Sequence, residues 1–414
     1  MKNIDATLEK LYGKNALSTQ RERYQKAEKT FGELFGDAEN AMIFSASGRT
    51  EIGGNHTDHN RGKVLAAAVS LDVIAFVVPT DDGIITVKSE GFPQDTVDTS
   101  DLSVCEEDKN TSAALIRGVA DGMSRNGFSV GGFKAYTTSS VLKGSGISSS
   151  AAFEVLIGTI LSHLYNSGNV GAVKIAQIAQ YAENVHFGKP SGLMDQMASS
   201  VGGFIEIDFE NPEEPVIRSI DYDFAASGHS LCIVDTKGNH ADLTPEYAAI
   251  PKEMKSVAEF FGKSELRDIT PEQLMENVGV VRQSCGDRAV SRAMHFFDEN
   301  ARVDREASAL DSGDFKAFLH EVTASGNSSF KYLQNIFAVS DSREQGMVLG
   351  LYIAEKLLGG RGACRVHGGG FAGTIQAFVP NDMLDGFVSG MEKLFGAGSC
   401  YCLYIRPLGG TKIC

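Results

Sequence analysis

Residues 142–152 read LKGSGISSSAA and lie between a predicted strand, Phe133–Thr138, and a predicted amphipathic helix. The helix is indicated by apolar residues at i, i+3, i+4, i+7, i+8 and i+11, from Phe153 to Leu164. A loop at the start of a helix faces free N–H groups and the positive end of the helix dipole. The stretch therefore predicts an anion-binding loop, with an ordinary helix N-cap as the alternative.

The composition of this loop suits phosphate groups. Its two glycines let the backbone approach a phosphate closely, and three successive serines offer hydroxyl groups to phosphate oxygens or to Mg²⁺. No Gly-Lys-Ser/Thr follows at the spacing of a Walker A loop. The residues predicted to contact a nucleotide are Gly144, Ser145, Gly146, Ile147, Ser148, Ser149, Ser150 and Ala151.

A second stretch, GRTEIGGNHTDHNRG at residues 48–62, carries more charged and amide side chains than a connecting loop needs. A sugar presents several hydroxyl groups, each of which needs a hydrogen-bond donor or acceptor. Arg49, Asn55, His56 and Asp58 supply both kinds within one short segment. We predict a polyol-binding loop; the alternatives are a solvated turn and a metal site at the histidines and the aspartate.

A third polar stretch is GKPSGLMDQ at residues 188–196. Asp195 follows a turn marked by glycine and proline and opens a predicted short helix, whose dipole keeps a carboxylate ionised. A helix-capping acid is the alternative interpretation. Glu183 falls in the last turn of the preceding predicted helix, which begins near Ala172. A fourth stretch, HGGGFAG at residues 367–373, precedes a predicted strand and by itself indicates only a β-turn.

The pattern of predicted elements indicates an α+β protein with two domains. Strand-like runs alternate with helices in the first half, whereas residues 244–359 are predicted to be mostly helical. A single core rarely grows beyond about 300 residues, so 414 residues imply two domains. The acidic, proline-containing stretch Glu210–Pro215 is the predicted junction, which divides the chain into residues 1–212 and 213–414.

Composition and charge exclude several classes of protein. The balance of 38 basic and 53 acidic residues gives a net charge of -15, which disfavours nucleic acid and anionic membranes as partners. The longest apolar run is too short to span a bilayer, and the first residues lack the apolar segment of a secretory signal. Seven scattered cysteines without a C-x-x-C pair favour a reduced, cytoplasmic protein. Cys400 and Cys402 alternate along a predicted strand, which predicts one packed and one exposed thiol rather than a redox pair.

Taken together, in this order and at these separations, the polar stretches resemble the GHMP small-molecule kinases, and most closely the galactokinases. Gly48–Gly62 resembles the galactokinase signature, Gly144–Ala152 the GHMP nucleotide loop and Gly368–Gly373 the third GHMP motif. The resemblance extends from Phe31 to Val379 and includes Glu299–Phe315, which is similar to the helical hairpin of galactokinases.

The family resemblance implies both a fold and an activity. It implies a ribosomal-protein-like β-α-β N-terminal domain, a ferredoxin-like C-terminal domain and an active site in the cleft between them. It also implies a kinase that uses ATP and Mg²⁺ to phosphorylate a sugar, most simply galactose to galactose 1-phosphate.

The resemblance implies roles for single residues as well. Asp195 matches the catalytic aspartate beside the accepting hydroxyl group, and Arg49 matches the arginine that pairs with it. Ser150 and Glu183 match the Mg²⁺ ligands. The residues implied to contact the sugar are Arg49, Asn55, His56, Asp58, Gly192, Asp195 and Tyr247.

Because of two departures from the family pattern, the sequence does not identify which sugar is the substrate. Galactokinases carry glutamate at the position of Asn55, and an arginine pair after the position of Tyr247, where this chain reads AAIPKEM. An amide donates hydrogen bonds that a carboxylate cannot, and a site built for one hydroxyl pattern can reject another. A kinase of a related sugar is therefore the nearest alternative. A catalytically silent sugar sensor is the alternative from another class, which the complete Ser148–Ala152 sequence disfavours. The oligomeric state stays unknown at this stage.

Overall fold

A computed structural model describes residues 4–36, 38–141, 147–189, 191–238, 243–338, 343–371 and 373–414. Three residues of the predicted nucleotide loop, Gly144, Ser145 and Gly146, lie outside the described residues. The described helices are α1 (Asp5–Tyr12), α2 (Leu17–Phe35), α3 (Ser112–Arg125), α4 (Ser149–Tyr165), α5 (Ala172–Tyr181), α6 (Met194–Val201), α7 (Thr244–Phe260), α8 (Pro271–Glu276), α9 (Val278–Cys285), α10 (Asp287–Asp311), α11 (Phe315–Ser328), α12 (Gly346–Leu358) and α13 (Leu384–Phe395).

The described strands form two sheets. They are β1 (Met42–Gly53), β2 (Lys63–Thr80), β3 (Ile84–Ser89), β4 (Gln94–Asp98), β5 (Gly132–Ser139), β6 (Phe204–Asp208), β7 (Val216–Ile220), β8 (His229–Asp235), β9 (Ala363–His367), β10 (Thr374–Pro380), β11 (Cys400–Leu403) and β12 (Thr411–Lys412). The first sheet runs β12-β1-β2-β5-β3-β4, with β6 paired to β2 and β7 paired to β6. The second sheet is antiparallel and runs β11-β8-β10-β9.

The sequence periodicities predicted these elements well. Four strands are predicted from runs of β-branched and aromatic residues, and they fall in β2, β3, β5 and β6, the last extending one residue past β6: Val73–Val78, Ile84–Lys88, Phe133–Thr138 and Phe204–Phe209. The predicted helix after the serine loop is α4. Helix α4 is buried on almost all sides because it packs against β1, β2, α5 and α6. Residues 244–358 are mostly helical, as expected. Among the described residues, we find no helix that combines the length and the apolar character needed to cross a membrane.

The two halves of the chain share one continuous apolar core. Buried side chains extend from α3, α4 and α5, over the first sheet, to α10, α11 and β8. The predicted junction at residues 212 and 213 lies in the connection between β6 and β7, which pair with each other. The chain end also returns to the first sheet, where β12 pairs with β1. The division into residues 1–212 and 213–414 stays a prediction.

A buried charge cluster around Asp72 attaches the N-terminal helices and the chain end to the first sheet. Asp72 lies in β2 and is fully buried. Its carboxylate accepts from Arg23 of α2 at 2.6 Å and from Arg406 at 2.9 Å. The hydroxyl groups of Tyr12 and Ser45 donate to it as well. Both carboxylate oxygens are therefore satisfied by charged and neutral donors from four other segments.

The second sheet packs one face against α12 and α13. Cys400 lies on this face and is buried, whereas Cys402 at the end of β11 is exposed. The prediction of one packed and one exposed thiol is confirmed, but not through alternation, since residues two apart on a strand point to the same face. The first sheet meets the second through β1, because Gln376 of β10 donates to the hydroxyl group of Thr50 at 2.6 Å. His367 of β9 also contacts this hydroxyl group, at 3.1 Å.

Candidate active site

Strand β1 presents Arg49 at the junction of the two sheets. The pairing of β1 with β2 shifts register between Ser47 and Arg49, which marks a bulge. The backbone N–H of Arg49 then donates to the carbonyl oxygen of Ile147 at 3.2 Å rather than to a neighbouring strand. Gly48 permits this approach, since an added Cβ atom would lie 2.6 Å from the Ile147 side chain. The end of the nucleotide loop is thereby held against β1.

Asp195 lies between Arg49 and Ser148, at the end of the predicted nucleotide loop. The Nε atom of Arg49 donates to Asp195 Oδ1 at 2.7 Å, and the hydroxyl group of Ser148 donates to Oδ2. The Asp195 side chain keeps 30% of its surface exposed, so it remains accessible to a substrate. The residue is not the N-cap of α6, which begins at Met194. The alternative of a simple capping acid therefore does not describe it.

Ser148 adopts a backbone conformation that directs its side chain away from helix α4. Its φ of 58° lies in the left-handed region, which is uncommon for residues other than glycine and costs free energy. As the N-cap of α4 it makes no capping hydrogen bond with its side chain. It donates to Asp195 instead. The interpretation of this loop as an ordinary helix cap is therefore wrong for Ser148.

Electrostatics keep Asp195 ionised. Burial alone would raise the pKa of its carboxyl group, but the charge and hydrogen bond of Arg49, with the Ser148 hydroxyl group, lower that pKa below 3.8. Burial opposes the charge on Arg49 too, yet Asp195 raises the pKa of the guanidinium group. At neutral pH the site therefore holds a carboxylate that can accept a proton and a permanent cation beside it.

Ser150 and Glu183 meet at the start of α4. The hydroxyl group of Ser150 donates to Glu183 Oε1 at 2.9 Å, and Lys189 Nζ donates to the same oxygen at 2.8 Å. Glu183 belongs to a π-helical turn, Ala182–Phe187, that follows α5. Such a turn changes the direction of a helical side chain and often occurs at functional sites. The sequence predicted the helix end here but not the π-helical turn.

A buried amide joins Glu183 to the catalytic candidate. Gln196, next to Asp195, donates to Glu183 Oε2 at 2.8 Å and to Glu154 Oε2 at 3.1 Å. Gln196 and Glu154 are fully buried, and burial raises the pKa of the Glu154 carboxyl group well above 4.5. One oxygen of Glu154 and the amide oxygen of Gln196 have no hydrogen-bond partner among the residues that the structure describes. Unpaired buried oxygens are costly unless a ligand or water completes them.

Asp58 and His56 of the predicted sugar loop each contact another polar stretch of the sequence. An added Cβ atom at Gly192 would lie 2.6 Å from Asp58 Oδ2, so the glycine and the carboxylate are in contact. His56 Nε2 lies 2.9 Å from the carbonyl oxygen of Gly369. Burial lowers the pKa of His56 to about 4, so its ring is neutral at pH 7. A carbonyl oxygen only accepts, so Nε2 carries the proton and Nδ1 is left as an acceptor.

Tyr247 of α7 lies against the loop that follows β9. Its hydroxyl group donates to the carbonyl oxygen of Gly370 at 2.7 Å, and its ring contacts Phe371. An added Cβ atom at Gly369 would lie 2.6 Å from this ring. Tyr247 and His56 therefore contact the same glycine-rich loop, which is the fourth stretch of the sequence.

Asn55 lies beneath the sugar loop rather than on its surface. It is fully buried, and its amide N–H groups donate to Glu51 Oε1 and to the Gly368 carbonyl oxygen, both at 2.8 Å. Its amide oxygen accepts from Asn335 at 2.8 Å and from Ser329 at 3.2 Å. All four hydrogen-bonding positions of the amide are thus used within the protein. The predicted contact of Asn55 with a sugar hydroxyl group stays a prediction, and these bonds do not favour it.

The metal alternative for the His56, Asp58 and His59 group finds no support. In the part of the chain that the structure describes, no three His, Cys, Asp or Glu side chains are grouped to hold a metal ion. The two histidine rings lie 6.4 Å apart, and His56 is engaged by Gly369.

The buried carboxyl group of Glu51 is expected to make the stability of the folded protein depend on pH. It is buried beside Arg365 at 3.1 Å, and burial raises its pKa from 4.5 to about 7. The folded protein therefore holds a proton that the unfolded chain has lost, so this contribution to stability is complete below pH 4.5 and disappears as the pH rises through 7. The shift corresponds to about 3 kcal/mol. Urea unfolding of the wild type should show a loss of about 2–3 kcal/mol between pH 5 and pH 8 that Glu51→Gln lacks.

The exposed Glu107→Gln variant is the control for this measurement, because Glu107 lies at the surface. It should keep the wild-type pH dependence. Equal pH slopes for the wild type and Glu51→Gln would show that Glu51 does not hold the proton.

Sequence reasoning missed several residues of this site. Lys189, Gln196 and Glu154 contact or bridge the predicted residues, yet none was assigned a role. Lys189 and Gln196 belong to the third polar stretch, and their place in it was a signal that could have identified them. Glu154 interrupts the apolar pattern of α4, and a carboxylate one residue from the apolar stripe of a buried helix could have been identified on that basis.

Comparisons with known proteins agree with this geometry. A profile of the galactokinase galactose-binding signature matches residues 29–79, and one of the GHMP kinase N-terminal domain matches residues 114–203. A galactokinase of Streptomyces coelicolor is 31% identical over 369 residues, which cover 89% of this chain and 92% of that protein.

Solved structures show the same fold. The crystal structure of Lactococcus lactis galactokinase complexed with galactose has a TM-score of 0.79 at 23% identity, covering 94% of this chain and 99% of that one. The Methanococcus jannaschii mevalonate kinase has a TM-score of 0.63 at 14% identity, covering 88% and 98%. The predicted α+β fold with the two-domain GHMP kinase arrangement is confirmed by these likenesses.

Proposed function

The chain belongs to the galactokinase family of GHMP kinases, and from this we propose that it transfers the terminal phosphoryl group of ATP to galactose, forming galactose 1-phosphate. It is a phosphotransferase whose substrates are a sugar and ATP. The observation that carries the assignment is the position of Asp195. Its ionised carboxylate is partly exposed between a buried arginine and the start of the nucleotide-loop helix.

Asp195 orients the accepting hydroxyl group and receives its proton. Phosphoryl transfer passes through a loose transition state that needs little activation of the nucleophile, so a carboxylate of lowered pKa suffices. Arg49 fixes the carboxylate and supplies positive charge near the transferring group. Ser148, which donates to Asp195, links this carboxylate to the nucleotide loop. This hydrogen bond thereby holds the proton acceptor close to the loop that we propose to bind ATP.

Ser150 and Glu183 fit the Mg²⁺ ion that the family implies. Mg²⁺ is usually bound by hydroxyl and one or two carboxylate oxygens together with substrate phosphates. Here the Ser150 hydroxyl oxygen lies 2.9 Å from Glu183 Oε1. The cation Lys189 now contacts the same carboxylate oxygen. Held by Ser150 and Glu183, Mg²⁺ would neutralise negative charge on the phosphates of ATP. Gln196 holds the other carboxylate oxygen of Glu183 and so leaves Oε1 directed at Ser150.

Galactose is the sugar that the family membership supports. The departure at Asn55 is buried beneath the loop and is paired with Glu51, so it does not by itself change the surface offered to a sugar. His56, Asp58 and Gly192 are the residues that we propose to contact the hydroxyl groups. Tyr247 contacts the glycine-rich loop at the same site and belongs with them. We also propose a cytoplasmic location, in keeping with seven free cysteines.

The test is ATP consumption by the purified protein with Mg²⁺ against galactose, galactosamine, N-acetylgalactosamine, glucose and arabinose. Saturable turnover with galactose at the highest kcat/KM is expected. A higher kcat/KM with another sugar of the panel would keep the kinase mechanism and contradict the assignment of galactose. Sugar binding without any turnover would replace the kinase with a sugar sensor.

Gly192→Ala should impair sugar use selectively. The added Cβ atom would lie 2.6 Å from Asp58 Oδ2, so this carboxylate must move. A displacement of about 1 Å in a site commonly costs up to about 10²-fold, and we expect kcat/KM for galactose to fall by about 10–100-fold. The KM for ATP should change little. Steady-state kinetics with each substrate varied in turn would separate the two effects.

Gly171→Ala is the matched control, because an added Cβ atom at Gly171 has no atom within 4 Å. It should retain wild-type kinetics. A wild-type kcat/KM for Gly192→Ala would remove Gly192 and Asp58 from the proposed sugar contacts.

A further inference from the structure

The second sheet carries a pair of thiols that the proposed reaction does not use. Cys232 in β8 and Cys402 in β11 lie directly opposite each other, and their sulfur atoms are 3.9 Å apart. We propose that Cys232 and Cys402 form an oxidation site that closes to a disulfide when the protein meets hydrogen peroxide or a low-molecular-weight disulfide.

The register of the two strands suits a disulfide. The N–H of Asp235 donates to the carbonyl oxygen of Ser399 at 2.8 Å, which makes these two opposite residues a hydrogen-bonded pair. Hydrogen-bonded and non-hydrogen-bonded pairs alternate along an antiparallel ladder. The Cys232–Cys402 pair is therefore non-hydrogen-bonded, with Cα atoms about 4.5 Å apart. This separation lies within the range that a disulfide spans, so closure needs rotation of side chains rather than movement of the backbone.

The two thiols differ in access as a reactive pair requires. Cys402 is exposed and Cys232 is fully buried, so an oxidant in solution reaches Cys402 first. Contacts with the thiols of Cys232 and Cys400 lower the pKa of Cys402, whereas contacts with Cys400 and Cys402 raise the pKa of Cys232. The exposed member of the pair is thus the nucleophile, and the buried member is the resolving thiol.

The chemistry balances with peroxide as the oxidant. The Cys402 thiolate attacks one oxygen of hydrogen peroxide, the O–O bond breaks, and a sulfenic acid and hydroxide form. The sulfur of Cys232 then attacks the Cys402 sulfur and displaces the second hydroxide, which leaves as water with the proton of the Cys232 thiol. Two thiols and one peroxide give one disulfide and two water molecules. With a low-molecular-weight disulfide, Cys402 attacks one sulfur, the S–S bond of the reagent breaks, and the mixed disulfide and one small thiol form. Cys232 then attacks the Cys402 sulfur and displaces the second small thiol.

The cross-link has a measurable consequence for the fold. It would join β8 to the edge strand β11 and close a long segment of the chain, which restricts the unfolded state. Thr236 directly follows β8, and its N–H donates to the carbonyl oxygen of Gly373 at the end of the glycine-rich loop. We therefore expect the oxidised protein to unfold at a higher urea concentration than the reduced protein, with the bond formed before any loss of structure.

The experiment treats the folded full-length protein with hydrogen peroxide, or separately with oxidised glutathione, and maps the linkages by mass spectrometry of unreduced digests. A peptide pair joined through Cys232 and Cys402, lighter by two hydrogen atoms, is expected with both reagents. Cys402→Ser should abolish this linkage. Cys105→Ser, which removes a partly exposed thiol elsewhere, should retain it.

Other products would overturn the proposal. A stable glutathione adduct at Cys402 in the wild type would show that Cys232 does not resolve it. A Cys400–Cys402 or Cys232–Cys400 linkage would assign the reactivity to a different pair. Oxidation of Cys402 to sulfinic acid without linkage would contradict the proposed geometry of the pair. An unchanged urea midpoint after linkage would contradict the proposed effect of the disulfide on stability.

Discussion

Asp195→Asn is expected to lower kcat for galactose phosphorylation by about 10²–10⁴-fold, the usual contribution of a positioned proton acceptor. Asparagine keeps the size of the side chain and can still accept from Arg49, but its amide cannot take the proton of the accepting hydroxyl group. ATP binding should stay close to the wild-type value, since Ser150 and Glu183 are unchanged. Steady-state kinetics and isothermal titration with ATP measure the two properties.

Asp208→Asn is the matched control for this variant. Asp208 also pairs with cations, Arg267 at 2.9 Å and Lys63 at 3.8 Å, but it lies at the end of β6 outside the proposed site. It should keep normal turnover. If Asp195→Asn turned over galactose at a rate near the wild type, Asp195 would not be the proton acceptor, and the mechanism proposed for this site would fail.

Asp72→Asn is expected to lower the free energy of unfolding by about 3–5 kcal/mol, the cost of leaving buried charges without their partner. Asp72 is the carboxylate shared by Arg23 and by the fully buried Arg406. Burial by itself would raise the pKa of Asp72, and the two arginines lower it below 3.8, so the native carboxylate is charged. Its replacement leaves two guanidinium groups facing a neutral amide. Urea unfolding at pH 7 measures the loss.

Asp5→Asn provides the comparison for a surface pair. Asp5 pairs with Arg21 at 2.5 Å, but both side chains are more than 40% exposed, where water screens the interaction. Its urea midpoint should stay near that of the wild type. Midpoints for Asp72→Asn and Asp5→Asn that coincide would mean that the buried cluster contributes no more than a surface ion pair.

The residues of the site were predictable to different degrees. Arg49 and Ser150 could be selected because they lie in stretches with more polar side chains than a connecting loop needs. The roles of Asp195 and Glu183 came from the resemblance to the family. The pairing of these residues could not be read from the sequence, since Arg49 and Asp195 are separated by 146 positions. The roles of the sugar residues, including Asn55, remain predictions.

Asn55 illustrates the limit of motif reasoning. Within its motif it was grouped with the sugar contacts, because it lies beside His56 and Asp58 in the chain. In the folded protein its amide points inward and is held by Glu51, Gly368, Ser329 and Asn335. Three of these partners lie more than 270 positions away, so only their assembly decides which way the amide faces.

The sequence by itself determined the secondary structure and the family. Apolar periodicity is a local property, so β2, β3, β5, β6 and α4 were predictable, and the order of the polar stretches indicated a galactokinase-like kinase. Only the tertiary structure decided how side chains from distant segments combine. The left-handed backbone at Ser148, the π-helical turn at Glu183 and the opposed thiols of Cys232 and Cys402 depend on packing between elements, which local pattern does not encode.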